Sequence, residues 1–315
     1  MKVTEHLAKA KKPLISFEII PPRRGGSLAS LLALIEDLAR HRPPFIDITS
    51  HPAVISYEDG PEGLRRVVKR KRPGTLGLCA LVQHKFGIDA VPHVICRGFS
   101  KEETEDFLIE LHYLGIDNVL AVRGDDNGYD KPMREGRSAN NFAVELVAQI
   151  QSMNGGNYLD ANATADPTSF CIAVAGYPEK HFEAPNRSED IRRLKAKVDA
   201  GAGYVVTQMF FNNAHYFRFV DDCRAAGINV PILPGIKVLA SARQLTGLPR
   251  NFQCELPEEL VFKAQKVAPK QVVEVGIDWA VAQGKELLAA GVPALHFYVM
   301  QNTRAVNEVI DRLGV

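Results

Sequence analysis

A single carboxylate, Glu18, stands inside the apolar run LISFEII at residues 14–20, just ahead of two prolines and two arginines. An ionised carboxyl in such a run costs several kcal/mol unless it is paired; otherwise it takes up a proton and stays neutral. A carboxyl kept neutral near physiological pH is a general acid. The other reading is a buried ion pair with Arg23, Arg24 or an arginine of another strand. Further polar residues sit where apolar runs end: Thr49 closes FIDITS, His93 lies in VPHVIC, Asp125 follows AVRG, Tyr177 follows IAVAG and Gln208 lies in VVTQMF. Each alone is more often an ordinary hydrogen-bonded group than a ligand contact. Together they predict a ring of polar side chains around one mouth.

The elements that must carry this ring follow from the hydrophobic pattern. LISFEII, FIDITS, TLGLCALV, NVLAVRG, SFCIAVAGY, YVVTQMF, VPILPGI and ALHFYVM read as eight strands. Between them SLASLLALIEDLARH, KEETEDFLIELHYLG, RSEDIRRLKAKVDAGA and NAHYFRFVDDCRAAG have helical period. Strands alternating with helices imply parallel pairing, and eight such units in one chain imply a single α/β domain, a (β/α)8 TIM barrel spanning residues 1–315. In the first strand Ile15, Phe17 and Ile19 share the side that suits the helix ring, while Ser16, Glu18 and Ile20 point into the lumen. Long connections at 126–138 and 239–269 follow strands and belong to the catalytic mouth, the second of them partly helical; the one at 152–168 precedes its strand and belongs to the opposite mouth. RRVVKRKR at 65–72 reads as the solvated side of a helix.

Composition narrows the partners. Thirty-eight basic residues against 37 acidic ones provide no global field for nucleic acid or an anionic membrane, so small molecules are the expected ligands. The first residues lack a cleavage site of signal-peptide type, and no run approaches the roughly 18 apolar residues of a span, which predicts a cytoplasmic protein. Five scattered cysteines without a C-x-x-C pair read as reduced, mostly buried thiols and not as a disulfide framework or metal site. A homo-oligomer is expected.

No G-x-G-x-x-G or Walker pattern follows a strand, so a nucleotide cofactor needs another cradle. APNRSED offers one. Asn186 with Glu189 resembles a capping box, and Asp190 and Lys197, seven residues apart, share a helix face. Lys197 could meet a phosphate and Asp190 a ribose hydroxyl; a solvated charged face is the plainer reading.

SFEIIPPR, PHVIC, AVRGDD, AGYPEKH, DIRRLKAKVDAGAGYVVTQMFF, PILPGI and HFY, in this order from residue 14 to about 298, resemble the methylenetetrahydrofolate reductase family. The resemblance implies a (β/α)8 barrel that binds FAD, takes hydride from NADH or NADPH and reduces methylenetetrahydrofolate to methyltetrahydrofolate in a ping-pong cycle. It places Glu18 as the acid that opens the folate's five-membered ring, and Asp125 near flavin and pterin. It lays Thr49, His93, Arg123, Gly124, Asp125, Phe142, Ala143, Ala175, Tyr177, His181, Asp190 and Lys197 along FAD, with Lys197 and His181 by the pyrophosphate. Gln208, Gln244 and Leu248, with Glu18 and Asp125, would contact the folate or nicotinamide. The chain departs from the family pattern in FEIIPP, in Leu248 where relatives carry phenylalanine, and in VMQNTR, where Arg304 is displaced by two residues from the usual arginine. A regulatory domain of eukaryotic kind, and with it feedback by adenosylmethionine, is not expected. Two alternatives stay open: a flavin barrel of the proline dehydrogenase type, and a flavin- or folate-binding subunit that accepts electrons from a partner protein.

Overall fold

The structure, a computed structural model, describes residues 1–315 apart from 62, 127, 129–130, 163–164 and 301–302. Eight parallel strands close into a barrel: β1 (Leu14–Ile19), β2 (Phe45–Ile48), β5 (Asp89–Ile95), β6 (Asn118–Val122), β7 (Cys171–Gly176), β8 (Tyr204–Met209), β9 (Ile232–Ile236) and β10 (Ala294–Met300). β10 pairs with β1, so no barrel edge is left open. The ring around them comprises α2 (Leu28–Ala39), α3 (Leu76–Phe86), α4 (Lys101–Tyr113), α5 (Ala143–Asn154), α6 (Arg187–Asp199), α7 (Asn213–Ala225), α10 (Val272–Ala289) and α11 (Thr303–Leu313). This is the (β/α)8 barrel that the alternation of strands and helices predicts. Among the described residues no helix is long and apolar enough to cross a membrane.

Side-chain alternation separates the two cores. Ile15, Phe17 and Ile19 of β1 pack outward with Ile35 and Leu38 of α2 in the large layer between strands and helices. Phe45, Val91, Leu120, Ala173, Tyr204, Val206, Leu233 and Ala294 fill the lower lumen. The short helix α1 (Val3–Lys9) plugs this lower mouth. Val3 joins the lumen cluster, and its amide donates to Asn118 Oδ1 at 2.8 Å while Asn118 Nδ2 donates to the Met1 carbonyl at 2.9 Å. With α1 seated there, the other mouth, where the strands end, is the place to look for a ligand. The described parts of 126–138 and the whole of 239–269 lie there, the latter holding α8 (Gln244–Phe252) and α9 (Glu258–Gln265), and the described parts of 152–168 lie at the lower mouth.

Two segments differ from the sequence expectation. TLGLCALV forms α3 and not the third strand, which is Asp89–Ile95. A short apolar run is ambiguous between strand and helix. Here Leu78, Cys79 and Val82 recur on one helical face and are buried, and Gly87, with φ of 65°, ends the helix in a left-handed C-cap. RRVVKRKR is not a helix face: it enters β4 (Gly63–Lys69), which pairs antiparallel with β3 (Val54–Gly60) in a hairpin inserted after β2. Ile55 opposes Val68, a β-branched pairing that suits a ribbon. The basic residues remain largely exposed, as the solvated reading requires.

All five cysteines are buried and unpaired. At the start of α6, Asn186 Oδ1 accepts from the Glu189 amide at 2.9 Å, one half of a capping box. Glu189 itself binds Arg192 and Arg193 instead of returning to the cap.

Candidate active site

Strand register builds the upper lumen as a layer of polar groups. Glu18 lies opposite Tyr298 on one neighbour and Asp47 on the other. His93 rises from the next strand beyond Asp47, its Nε2 3.5 Å from Glu18 Oε2 and 3.8 Å from Asp47 Oδ2, within ion-pair range of both. Lys237 follows directly on β9 and donates from Nζ to the Tyr298 carbonyl at 2.8 Å. The Tyr298 hydroxyl reaches across to donate to the Thr207 carbonyl at 2.6 Å. That crossing needs Gly235, because a Cβ there would stand 2.4 Å from the Thr207 oxygen and 2.6 Å from Tyr298 Cε2.

The layer is buried, and burial sets its protonation. Glu18, with 15 % of its side chain exposed, is pushed up to about 7 by loss of solvent. His93 and Lys237 oppose that shift; Asp47 and Asp125 add to it. Asp47, fully buried with neither oxygen hydrogen-bonded, is held well above the usual carboxylate range by the same cause. Burial lowers His93 despite Glu18, and pushes Lys237 down to about 8. Among the described residues no arginine is seen to pair with Glu18: Arg23 is exposed, and Arg24 Nε donates to the Arg70 carbonyl at 2.8 Å. The ion-pair reading of the first strand is thereby replaced by a mostly neutral cluster that can hold and release a proton.

Beside this layer, the ends of β6 and β7 and the helix α6 carry further polar residues. Gly124, at φ 86°, turns the chain out of β6 in a conformation that a side chain would strain. Asp125 follows, exposed, with its charge felt at Glu18, His51 and Tyr177. Arg123 donates to Glu183 at 2.6 Å. Tyr177, raised to about 12 by burial, meets the His181 ring edge-on at 4.6 Å, and the His181 amide donates to Asp190 Oδ2 at 2.9 Å. Lys197 donates to the Ala175 carbonyl at 2.7 Å and is pushed down to about 8 by burial, with Asp190 opposing. Asp190 and Lys197 act on each other from one face of α6, as their spacing predicts, and the fold adds His181 to them. Thr49 Oγ1 and His51 Nδ1 are buried with no hydrogen-bond partner among the described residues, which leaves them open to a bound molecule.

A family model described as methylenetetrahydrofolate reductase matches residues 2–314. The chain belongs to the methylenetetrahydrofolate reductase family. Methylenetetrahydrofolate reductase 1 of Schizosaccharomyces pombe is 32% identical over 321 residues, covering 100% of this chain and 49% of that protein. The 5,10-methylenetetrahydrofolate reductase of Pectobacterium carotovorum is 29% identical over 303 residues, with 96% of this chain and 90% of that protein covered. The chain thus spans about half the length of its eukaryotic relatives and most of the bacterial one. A solved structure of an uncharacterised Clostridium thermocellum protein, which binds two copies of 5-methyl-5,6,7,8-tetrahydrofolic acid, superposes with TM-score 0.56 over 99% of this chain at 11% identity, a likeness of fold.

In this member of the family the remaining expected residues take varied positions. Gln208 Oε1 accepts from the Met209 amide at 2.9 Å, and Gln244 Oε1 accepts from the Ala240 amide at 2.6 Å. Leu248 is buried in the cluster of Met209, Phe211 and Leu239 under the α8 segment. Phe142 caps the start of α5 at Ala143 and is 56% exposed. Arg304 lies on α11 with Nη2 3.6 Å from Glu274, and its side chain is 81% exposed; residues 301–302 of the VMQNTR departure lie outside the described residues. Three members of the polar layer carry no sequence-based assignment: Asp47, Tyr298 and Lys237. Asp47 and Tyr298 show the parity signal that marks Glu18, but their place beside it, and that of Lys237 beyond the end of β9, comes from strand register.

Proposed function

We propose that this chain reduces 5,10-methylenetetrahydrofolate to 5-methyltetrahydrofolate, using FAD and NADH or NADPH, with Glu18 as general acid. One observation carries the reading: a buried carboxyl with no arginine partner among the described residues, set in a layer of titratable groups at the mouth where the strands of a barrel of this family end. Its raised proton affinity keeps it in acid form near neutrality. It can then give its proton to a ring nitrogen of the folate, helping the five-membered ring open to an iminium, and general acids of this kind contribute roughly 10²- to 10⁴-fold. Asp125, close by and exposed, would favour the cation so formed.

The residues present suit FAD: Thr49 and His51, each with a buried polar atom that has no hydrogen-bond partner among the described residues, the tight turn at Gly124 and the buried ammonium of Lys197 offer hydroxyl, imidazole, close backbone approach and positive charge. Thr49, His93, Arg123, Gly124, Asp125, Phe142, Ala143, Ala175, Tyr177, His181, Asp190 and Lys197 would hold it. When bound, FAD supplies hydride transfer between nicotinamide and folate. Glu18, Asp125, Gln208, Gln244 and Leu248 would bind folate and nicotinamide in turn. The chain would act as one flavin-binding barrel over residues 1–315, in the cytoplasm and as a homo-oligomer.

An anaerobic spectrum tests this. Protein reconstituted with FAD should be yellow, bleach with NADH or NADPH, and regain colour on addition of methylenetetrahydrofolate. Bleaching by reduced ferredoxin alone would favour a protein electron donor. A folded preparation that stays colourless in excess FAD, or one that bleaches and is not recoloured by the folate, overturns the reading.

A further inference from the structure

Lys237 is a buried cation that neither the sequence motifs nor the expected folate contacts explain. Its residue is 5% exposed, so its ammonium gains little from water and needs a counter-charge. The geometry supplies one. β9 pairs with β10 through Phe297 and Ile236, so the next residue, Lys237, stands level with Tyr298; Tyr298 in turn is level with Glu18, and Glu18 with Asp47. The ladder between β1 and β10 shifts register between Glu18 and Ile19, since Ile19 pairs with Met300. Such a bulge locally interrupts strand pairing, and the Tyr298 carbonyl beside it accepts from Lys237 Nζ at 2.8 Å. The ammonium is thereby held in the layer of the acid instead of extending to solvent.

The charged and titratable groups facing Glu18 are His93 on β5, Asp47 on β2, Tyr298 on β10, Asp125 beyond β6 and Lys237 beyond β9. Of these, two can carry positive charge, and His93 is itself pressed toward neutrality by burial. Glu18 is in turn the one opposite charge with a resolved effect on Lys237.

We propose that Lys237 is a positioning residue for the proton-transfer step: its anchored ammonium is the counter-charge against which Glu18 gives up and regains its proton. This rests on the reading of Glu18 as general acid. In that step the Glu18 O–H bond breaks, an N–H bond forms on the folate, and the electron pair stays on a carboxylate enclosed in the barrel wall. Lys237 stabilises that carboxylate. Without it the acid binds its proton more tightly and releases it more slowly.

The test is the titration of Glu18 itself, followed by carbon-13 NMR of protein labelled at the glutamate carboxyl, with the resonance assigned by its loss in Glu18→Gln. In Lys237→Met the midpoint should rise by about one pH unit, the size expected for removing a nearby opposite charge, and Lys237→Arg should restore it. Lys237→Gln, which keeps an N–H donor for the Tyr298 carbonyl, should behave as Lys237→Met does and serves if methionine disturbs packing. Over the same pH range, folate-driven recolouring of reduced flavin should lose about tenfold in its plateau rate in Lys237→Met, and its alkaline limb should move upward with the NMR midpoint. A Glu18 midpoint that stays put in both neutral variants overturns the proposal. Wild-type protein that is never recoloured by folate sinks the reductase reading instead, while the NMR midpoint still decides the role of Lys237.

Discussion

Glu18→Gln keeps the shape of the side chain and removes its titrating proton, so it separates the cost of the acid from its use. Burial lifts this carboxyl from 4.5 to about 7, and at 1.36 kcal/mol per tenfold that is about 3 kcal/mol. The figure is an upper one, since 15 % of the side chain still meets solvent. The sign follows from which state holds the proton more tightly. The folded protein does, so Glu18 costs nothing below 4.5, costs progressively more as pH rises toward about 7, and imposes a constant penalty above that. Glutamine carries no such penalty. At pH near 5 or below the variant should match wild type, and at pH near 8 it should be the more stable by up to about 3 kcal/mol, roughly 5 °C for a chain of 315 residues. The gain should fall short of that ceiling, because Lys237 loses its counter-charge in the variant and is driven toward its neutral form. Calorimetric melting across this pH range, at matched flavin content, measures it. The same variant should still bind FAD and be bleached by nicotinamide, while recolouring by the folate slows by about 10²- to 10⁴-fold. A variant that recolours at near wild-type rate, with a melting curve parallel to wild type at every pH, refutes the assignment and its energetics together.

Lys197→Ala should weaken FAD retention by about tenfold or more, the worth of one charge-assisted hydrogen bond, as read by flavin content after gel filtration; undiminished retention would leave Lys197 as no more than a tie to the Ala175 carbonyl. Asp47→Asn should gain stability at pH 8 relative to pH 4, because burial has already made the Asp47 carboxylate costly to ionise; paired melts at the two pH values read it, and a gain confined to acid pH contradicts the direction. Gly235→Ala should lose about 1–3 kcal/mol by overpacking against the Thr207 carbonyl and the Tyr298 ring, measured by urea unfolding, and an unshifted midpoint would show that the ring does not cross there.

The barrel was legible because seven of the eight runs read as strands do form barrel strands, with stretches of helical period between them. The eighth, TLGLCALV, failed where a short apolar run carries no period of its own and burial of Leu78, Cys79 and Val82 against the barrel decides for helix. The hairpin of β3 and β4 failed for a related reason, since the pairing of Ile55 with Val68 is non-local and basic residues between them mimic a helix face. Glu18 was legible because one strand suffices to show a charge at the wrong parity. Its neighbours were not. That Lys237 shares a layer with Glu18 depends on two successive strand registers and a bulge, none of which is written within any one strand. The same limit explains why the residues from Thr49 to Lys197 could be ordered along the chain but only the fold could bring His181 to Asp190 and Lys197. A barrel wall converts registers into layers, so the chemistry of such a site is set by which polar residues reach the same height. Glu18 is an acid by virtue of its own strand, but how readily it parts with its proton is decided by strands on either side.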